Sequence, residues 1–126
     1  MKTRFVGCVL SLLLLGNIVL WAANESNWPR FRGPNGAGTA DFAIPAKWSD
    51  DTVHWETKLP GTGHGSPVVW GDKIFLNAAR EKGKERMAVC LDAPSGKILW
   101  NKVFASATHK TNKRNSFASS TPAVDA

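Results

Sequence analysis

Tyrosine is absent from this chain, cysteine occurs twice and histidine three times, and each scarcity closes off a class of chemistry. Cys8 sits in the apolar run at the amino terminus, so once that run is removed Cys90 stands alone and no intrachain disulfide can form within these residues. Cys90 falls inside an apolar strand-like run and reads as a small buried apolar side chain. His54, His64 and His109 include no pair at the spacing that short zinc motifs use, so no metal site is expected. His64, in the glycine-flanked loop 61–65, is the best placed of the three for chemistry; the reading carried forward is a histidine that serves its own loop. Acidic side chains are sparse too, and Asp41, Asp50, Asp51 and Asp72 fall in turns or in the arm described below, where solvated roles are expected. No catalytic residue emerges.

Strong charge is also lacking. The formal net charge of +6 falls to +4 once Lys2 and Arg4 leave with the leader, too mild a balance to imply nucleic acid. Lys110, Lys113 and Arg114 cluster with Asn112 and Asn115, but only Phe117 follows them, without the aromatic interleaving that single-stranded nucleic acid requires. The cluster reads as a solvated loop. Arg30 and Arg32 flank Phe31; they are expected to cap strand ends while Trp28 and Phe31 pack on a larger face. The segment Gly33-Pro34-Asn35-Gly36-Ala37-Gly38 is not a phosphate-cradling loop, because it follows no strand, opens no helix and lacks the lysine–serine/threonine ending.

What is present begins with an address. Lys2 and Arg4 precede an apolar run over 5–21 centred on Leu12-Leu13-Leu14-Leu15, and Ala22-Ala23 supplies small residues for cleavage. Residues 1–23 therefore read as a signal peptide, and the chain as exported, periplasmic or secreted. The run is close to the shortest that spans a bilayer, so an uncleaved membrane anchor is the alternative. Residues 24–51 form an arm dense in Gly, Pro and Asn. It is expected to be ordered, because Trp28, Phe31, Phe42 and Trp48 are a large apolar surface to leave in water.

From residue 52 onward the pattern is all-β. Val53, Trp55 and Thr57 alternate with His54, Glu56 and Lys58, which predicts a strand over 53–59. Four further runs, 66–70, 73–79, 86–91 and 97–104, fit one four-stranded antiparallel sheet. Gly71-Asp72 is a two-residue hairpin turn, 81–85 a charged loop around Gly83, and 92–96 a turn with proline and glycine at breaker positions. Residues 119–126 then begin to repeat the pattern of 65–70. Trp55 and Trp100 stand 45 residues apart, within the period of about 40–45 residues of propeller blades. Pro67 and Pro122 stand 55 apart, with the surplus in the loop before 119. A unit of this kind cannot bury both of its faces alone.

The residues Cys90, Asp92, Ser95, Gly96 and Trp100 resemble the repeat of the pyrroloquinoline-quinone-type, quinoprotein-like β-propeller family. That pattern runs alanine, any residue, aspartate, two residues, threonine, glycine, three residues, tryptophan. Cys90 replaces the alanine and Ser95 the threonine. The segments 27–36 and 60–67 are similar to the opening of exported members common in planctomycete-type bacteria. The resemblance implies that Trp100 docks against a neighbouring blade and that Asp92 and Gly96 shape the turn. It also implies a first full blade over 66–104, a second beginning at 119, and a strand over 53–59 that completes the last blade of a closed ring. A ring of about seven or eight blades needs about three hundred residues, so the chain reads as an N-terminal fragment or truncated product holding about one blade and an orphan strand.

Two functions follow from the resemblance. The first is a non-enzymatic binding or scaffold module for a protein or glycan partner, with no catalytic, cofactor or metal residue assigned. The alternative is the opening of a quinone-dependent dehydrogenase, which alone would bring pyrroloquinoline quinone and calcium. Fold and activity are separable, so the family does not choose between them.

Overall fold

The computed structural model describes residues 27–41 and 43–125. The expected signal peptide or anchor at 1–23, the first residues of the arm and Phe42 lie outside the described residues. Among the described residues no helix is long and apolar enough to cross a membrane.

The fold is all-β, built on one antiparallel sheet in the order β1-β2-β3-β4. The strands are β1 (Val68–Trp70), β2 (Lys73–Arg80), β3 (Glu85–Asp92) and β4 (Ile98–Ala105), each within two residues of the run that predicts it. Local chemistry sets the connections. Between β1 and β2, Trp70 pairs with Lys73 and Gly71 takes φ +53°, the conformation a two-residue hairpin demands. Between β3 and β4, Ser95 donates its backbone N–H and its hydroxyl to Asp92 Oδ2, and Gly96, at φ +69°, donates its N–H to Asp92 O at 2.8 Å. Between β2 and β3 the 3₁₀ turn Glu81–Gly83 has positive φ at all three residues.

Register assigns every side chain to a face. Val68, Phe75, Cys90 and Trp100 are aligned across the four strands on one face; Ile74 and Leu91 with Ile98, and Leu76 with Val89, lie on the other. Both faces are apolar, unlike a sheet with one wet side. On the second face Ala78, Met87, Val89 and Leu91 form the buried core, with Ile74, Leu76 and Ile98 packed around it. Burying a side chain such as Val89 or Leu91 contributes about 1.5–3 kcal/mol.

The run 53–59 does not join the sheet as a strand. It is extended, but it holds the sheet through side chains: Trp55 Nε1 donates to Ala93 O at 2.9 Å and Thr57 Oγ1 to Gly96 O at 2.6 Å. Farther along, Gly61 abuts Met87, and Thr62 exchanges both backbone hydrogen bonds with Ala79. The segment thus crosses the core face from the β3–β4 turn to the far end of β2. Alternating side chains signalled extension correctly, but a ladder needs an adjacent free edge, and this segment lies over a face instead.

The run 119–125 likewise forms no strand. His64 and Gly65 donate their N–H groups to Ala118 O, Ser66 N–H donates to Thr121 Oγ1, and Asn77 Nδ2 donates to Ser120 O. The second copy of the 65–70 pattern therefore lies beside the start of the first. Gly63 and Gly65 permit the approach, since a Cβ on Gly63 would stand 2.9 Å from Ala118 O and one on Gly65 would collide with Ser120 O.

The arm departs from expectation in its packing. Trp28 exchanges backbone hydrogen bonds with Val69 at the outer edge of β1, and its ring covers Gly33. Phe31 and Trp48, however, are 60% and 70% exposed. Polar turns give the arm its shape, including Asn35 Oδ1 accepting from Ala37 N–H, and these need no aromatic burial.

Candidate functional site

The three histidines are not brought together. His54 and His64 are exposed on separate segments, and His64 contributes its backbone N–H, which donates to Ala118 O and to Ser116 Oγ. His109 meets the ring of Phe117 edge-on at 5.4 Å. Among the described residues no three His, Cys, Asp or Glu side chains converge as a cation site. Among the described residues no donor set of this kind fits the calcium that the dehydrogenase alternative would bring.

Arg30 does not cap a strand. Its Nε and Nη2 donate to Gly33 O and Pro34 O and close the turn of the arm itself. Arg32 takes φ +64° beside Gly33 at φ +76°, and no helix follows the glycines. Lys110, Lys113 and Arg114 are exposed on a loop turned by Asn112, whose Oδ1 accepts from Arg114 N–H. Cys90 is buried, and that burial pushes its thiol pKa up against a smaller opposing pull from the charge of Lys73, so the thiol is protonated and unreactive near neutral pH.

Two features have the shape of a functional surface. The first is β4. It is an edge strand, and Leu99, Trp100, Val103 and Phe104 along it are all exposed. Leu99 is the extra residue of a bulge, because Cys90 pairs with Trp100 while Leu91 pairs with Ile98. Trp100 leans on Phe75 with ring centroids 6.0 Å apart and stays 38% exposed, and Lys102 Nζ stands 5.6 Å from its ring centre. Among the described residues nothing pairs with the outer edge of β4, and its exposed apolar side chains are a candidate contact surface.

The second is a cleft of about 190 Å³ on the Cys90 face, between the far end of the sheet and the returning segment around Ala118. Arg86, Asn77 and Phe104 line it from the strands, and Phe117 and Ser120 from the return. Sequence reasoning treated Arg86 only as the start of a strand. The available signal was its place, two and four residues before Ala88 and Cys90, where alternation puts a cation on an apolar face.

Comparison with family models, curated protein sequences and solved structures finds no match for this chain.

Proposed function

We propose that the chain is part of an exported, quinoprotein-like β-propeller that serves as a binding or scaffold module for a protein or glycan partner. The contact of Trp55 with Gly96 carries this reading. Trp55 stands one repeat period before Trp100, and its ring lies against the glycine of the following Asp92–Trp100 motif so closely that a Cβ there would collide with it. A tryptophan one period earlier that packs on the Asp92–Gly96 turn is in keeping with the resemblance, which implies a tryptophan docked against a neighbouring blade. Trp100, exposed at the equivalent place, is then the tryptophan available to a further blade. The side-by-side placement of 63–66 and 118–121, two copies of one pattern, supports the same reading, as inner strands of successive blades converge on a central channel.

The two apolar faces and the apolar edge of β4 favour a partner-binding role, because the residues of the repeat motif serve packing and turn geometry. The deciding experiment is a dye-linked alcohol oxidation assay on the chain expressed together with the remaining blades of its ring, with added pyrroloquinoline quinone and calcium. A scaffold gives no turnover above the blank; robust turnover abolished by removing the quinone overturns the reading. Export is tested by amino-terminal sequencing of periplasmic material, which should start near Asn24. Retention of the whole chain in the cytoplasm counts against it.

A further inference from the structure

We propose that the cleft beside Arg86 binds a small aryl carboxylate, with the carboxylate on the guanidinium of Arg86 and the aromatic body against Phe104 and Phe117. The inference does not depend on the propeller reading. It starts from an orphaned donor. Arg86 Nε is buried and has no hydrogen-bond partner among the described residues. Leaving a buried charged donor unpaired costs more than the roughly 1–3 kcal/mol of a neutral one. Arg86 Nη2 stands 3.4 Å from His109 Nδ1, at the long limit of a hydrogen bond.

Among the described residues no acid pairs with this cation. Glu85 precedes it, but strand alternation sends Glu85 to the other face, where it pairs with Arg80. Among the described residues Arg86 is the one charged side chain that lines the cleft. An unpaired guanidinium with no carboxylate in the lining selects an anion. A guanidinium offers parallel N–H donors in a plane and matches a carboxylate bidentately, which a single ammonium does not.

The remainder of the cleft defines the body of the ligand. Phe104, paired with Arg86 across β3 and β4, and Phe117 from the return segment both line it. A dry cavity of about 150 Å³ accepts benzene, so about 190 Å³ holds one ring and a carboxylate. Asn77 is held in place by donation to Ser120 O, which fixes the polar rim.

The test uses benzoate as probe, with benzamide as its neutral counterpart, on the ¹⁵N-labelled full chain. Benzoate at millimolar concentration should shift the Arg86 Nε–H resonance and raise Tm, benzamide should do neither, and Arg86→Gln should weaken benzoate binding at least tenfold. Arg86→Lys keeps the charge and loses the fork, so it should weaken binding too. An unmoved Nε–H signal in the unsubstituted chain overturns the proposal without relying on any variant. So does equal binding of benzamide, or full benzoate binding by Arg86→Gln, which would place the anion away from residue 86.

Discussion

The indole of Trp55 covers Gly96 while its Nε1–H donates to Ala93 O at 2.9 Å, so one side chain fixes both the conformation and the cover of the β3–β4 turn. Gly96→Ala meets two obstacles: φ is +69°, and the new methyl enters the space of the Trp55 ring and stands 2.8 Å from Thr57 Oγ1. The left-handed conformation alone costs about 1–2 kcal/mol, and with the collision the loss should reach about 2–4 kcal/mol by denaturant titration. Trp55→Ala removes the collision but leaves the backbone penalty. Gly96→Ala should therefore cost only about 1–2 kcal/mol in that background. Full additivity of the two losses would show that the ring does not rest on the glycine.

That contact marks where sequence reading stops. Period-two alternation and Gly71, Gly83 and Gly96 located all four strands, since strand and turn chemistry are local. The fate of 53–59 was not local. Val53, Trp55 and Thr57 alternate as a strand does, but whether such a segment pairs with an edge or lies across a face depends on what the rest of the chain leaves open. The arm failed for a related reason, since Phe31 and Trp48 are buried only if some surface reaches them. The Arg86 cleft needs β3, β4 and a return segment with Phe117, 31 residues further on, to meet. No motif encodes that meeting.

Cys90 gives a pH-dependent signature. Burial raises its thiol pKa above the unfolded value, so the native state keeps the proton that the unfolded chain gives up. This contribution to stability is whole below about pH 8.5 and declines as pH rises through the folded pKa. Denaturant midpoints should fall between pH 8 and 10 for the parent chain, and fall less for Cys90→Ala once the smaller residue's constant cavity loss is subtracted. Iodoacetamide at pH 8 should label Cys90 only at the rate of unfolding. Rapid labelling under native conditions would contradict the burial.

The β4 flank should govern self-association. Leu99 and Val103 are about half exposed on an edge strand, Leu99 at the bulge and Val103 opposite Met87, so Leu99→Lys should change folding stability by no more than about 0.5 kcal/mol and Val103→Lys by about 1 kcal/mol. The same pair should shift sedimentation velocity profiles of the parent chain from higher-order species toward monomer, because inward or edge lysines block strand addition. If the parent chain sediments as a monomer at 100 µM, the flank is not an unpartnered interface.

Gly83 couples the β2–β3 turn to the loop that closes the cleft. It is buried at φ +82°, and a Cβ there would collide with the Phe117 ring. The same turn anchors the loop twice more, through Thr108 Oγ1 donating to Lys82 O at 2.6 Å and Ser106 N–H donating to Lys84 O at 2.8 Å. Gly83→Ala should therefore displace Phe117 and loosen 106–117 more than it unfolds the sheet, whose core lies on the opposite face. Tryptic cleavage at Lys110, Lys113 and Arg114, followed by mass spectrometry, reports that loosening directly. Each loss of about 1.4 kcal/mol in local closing free energy speeds cleavage tenfold when opening is fast relative to cutting. Phe117→Ala removes the ring and leaves Gly83 unstrained, so it should accelerate cleavage at the same three sites while preserving the far-ultraviolet circular dichroism of the parent. Gly83→Ala added to Phe117→Ala should then speed cleavage by less than Gly83→Ala does alone, since the ring collision is gone and only the left-handed backbone penalty at φ +82° remains. Unchanged cleavage in both single variants would mean that the loop is held by Ser106 and Thr108 alone.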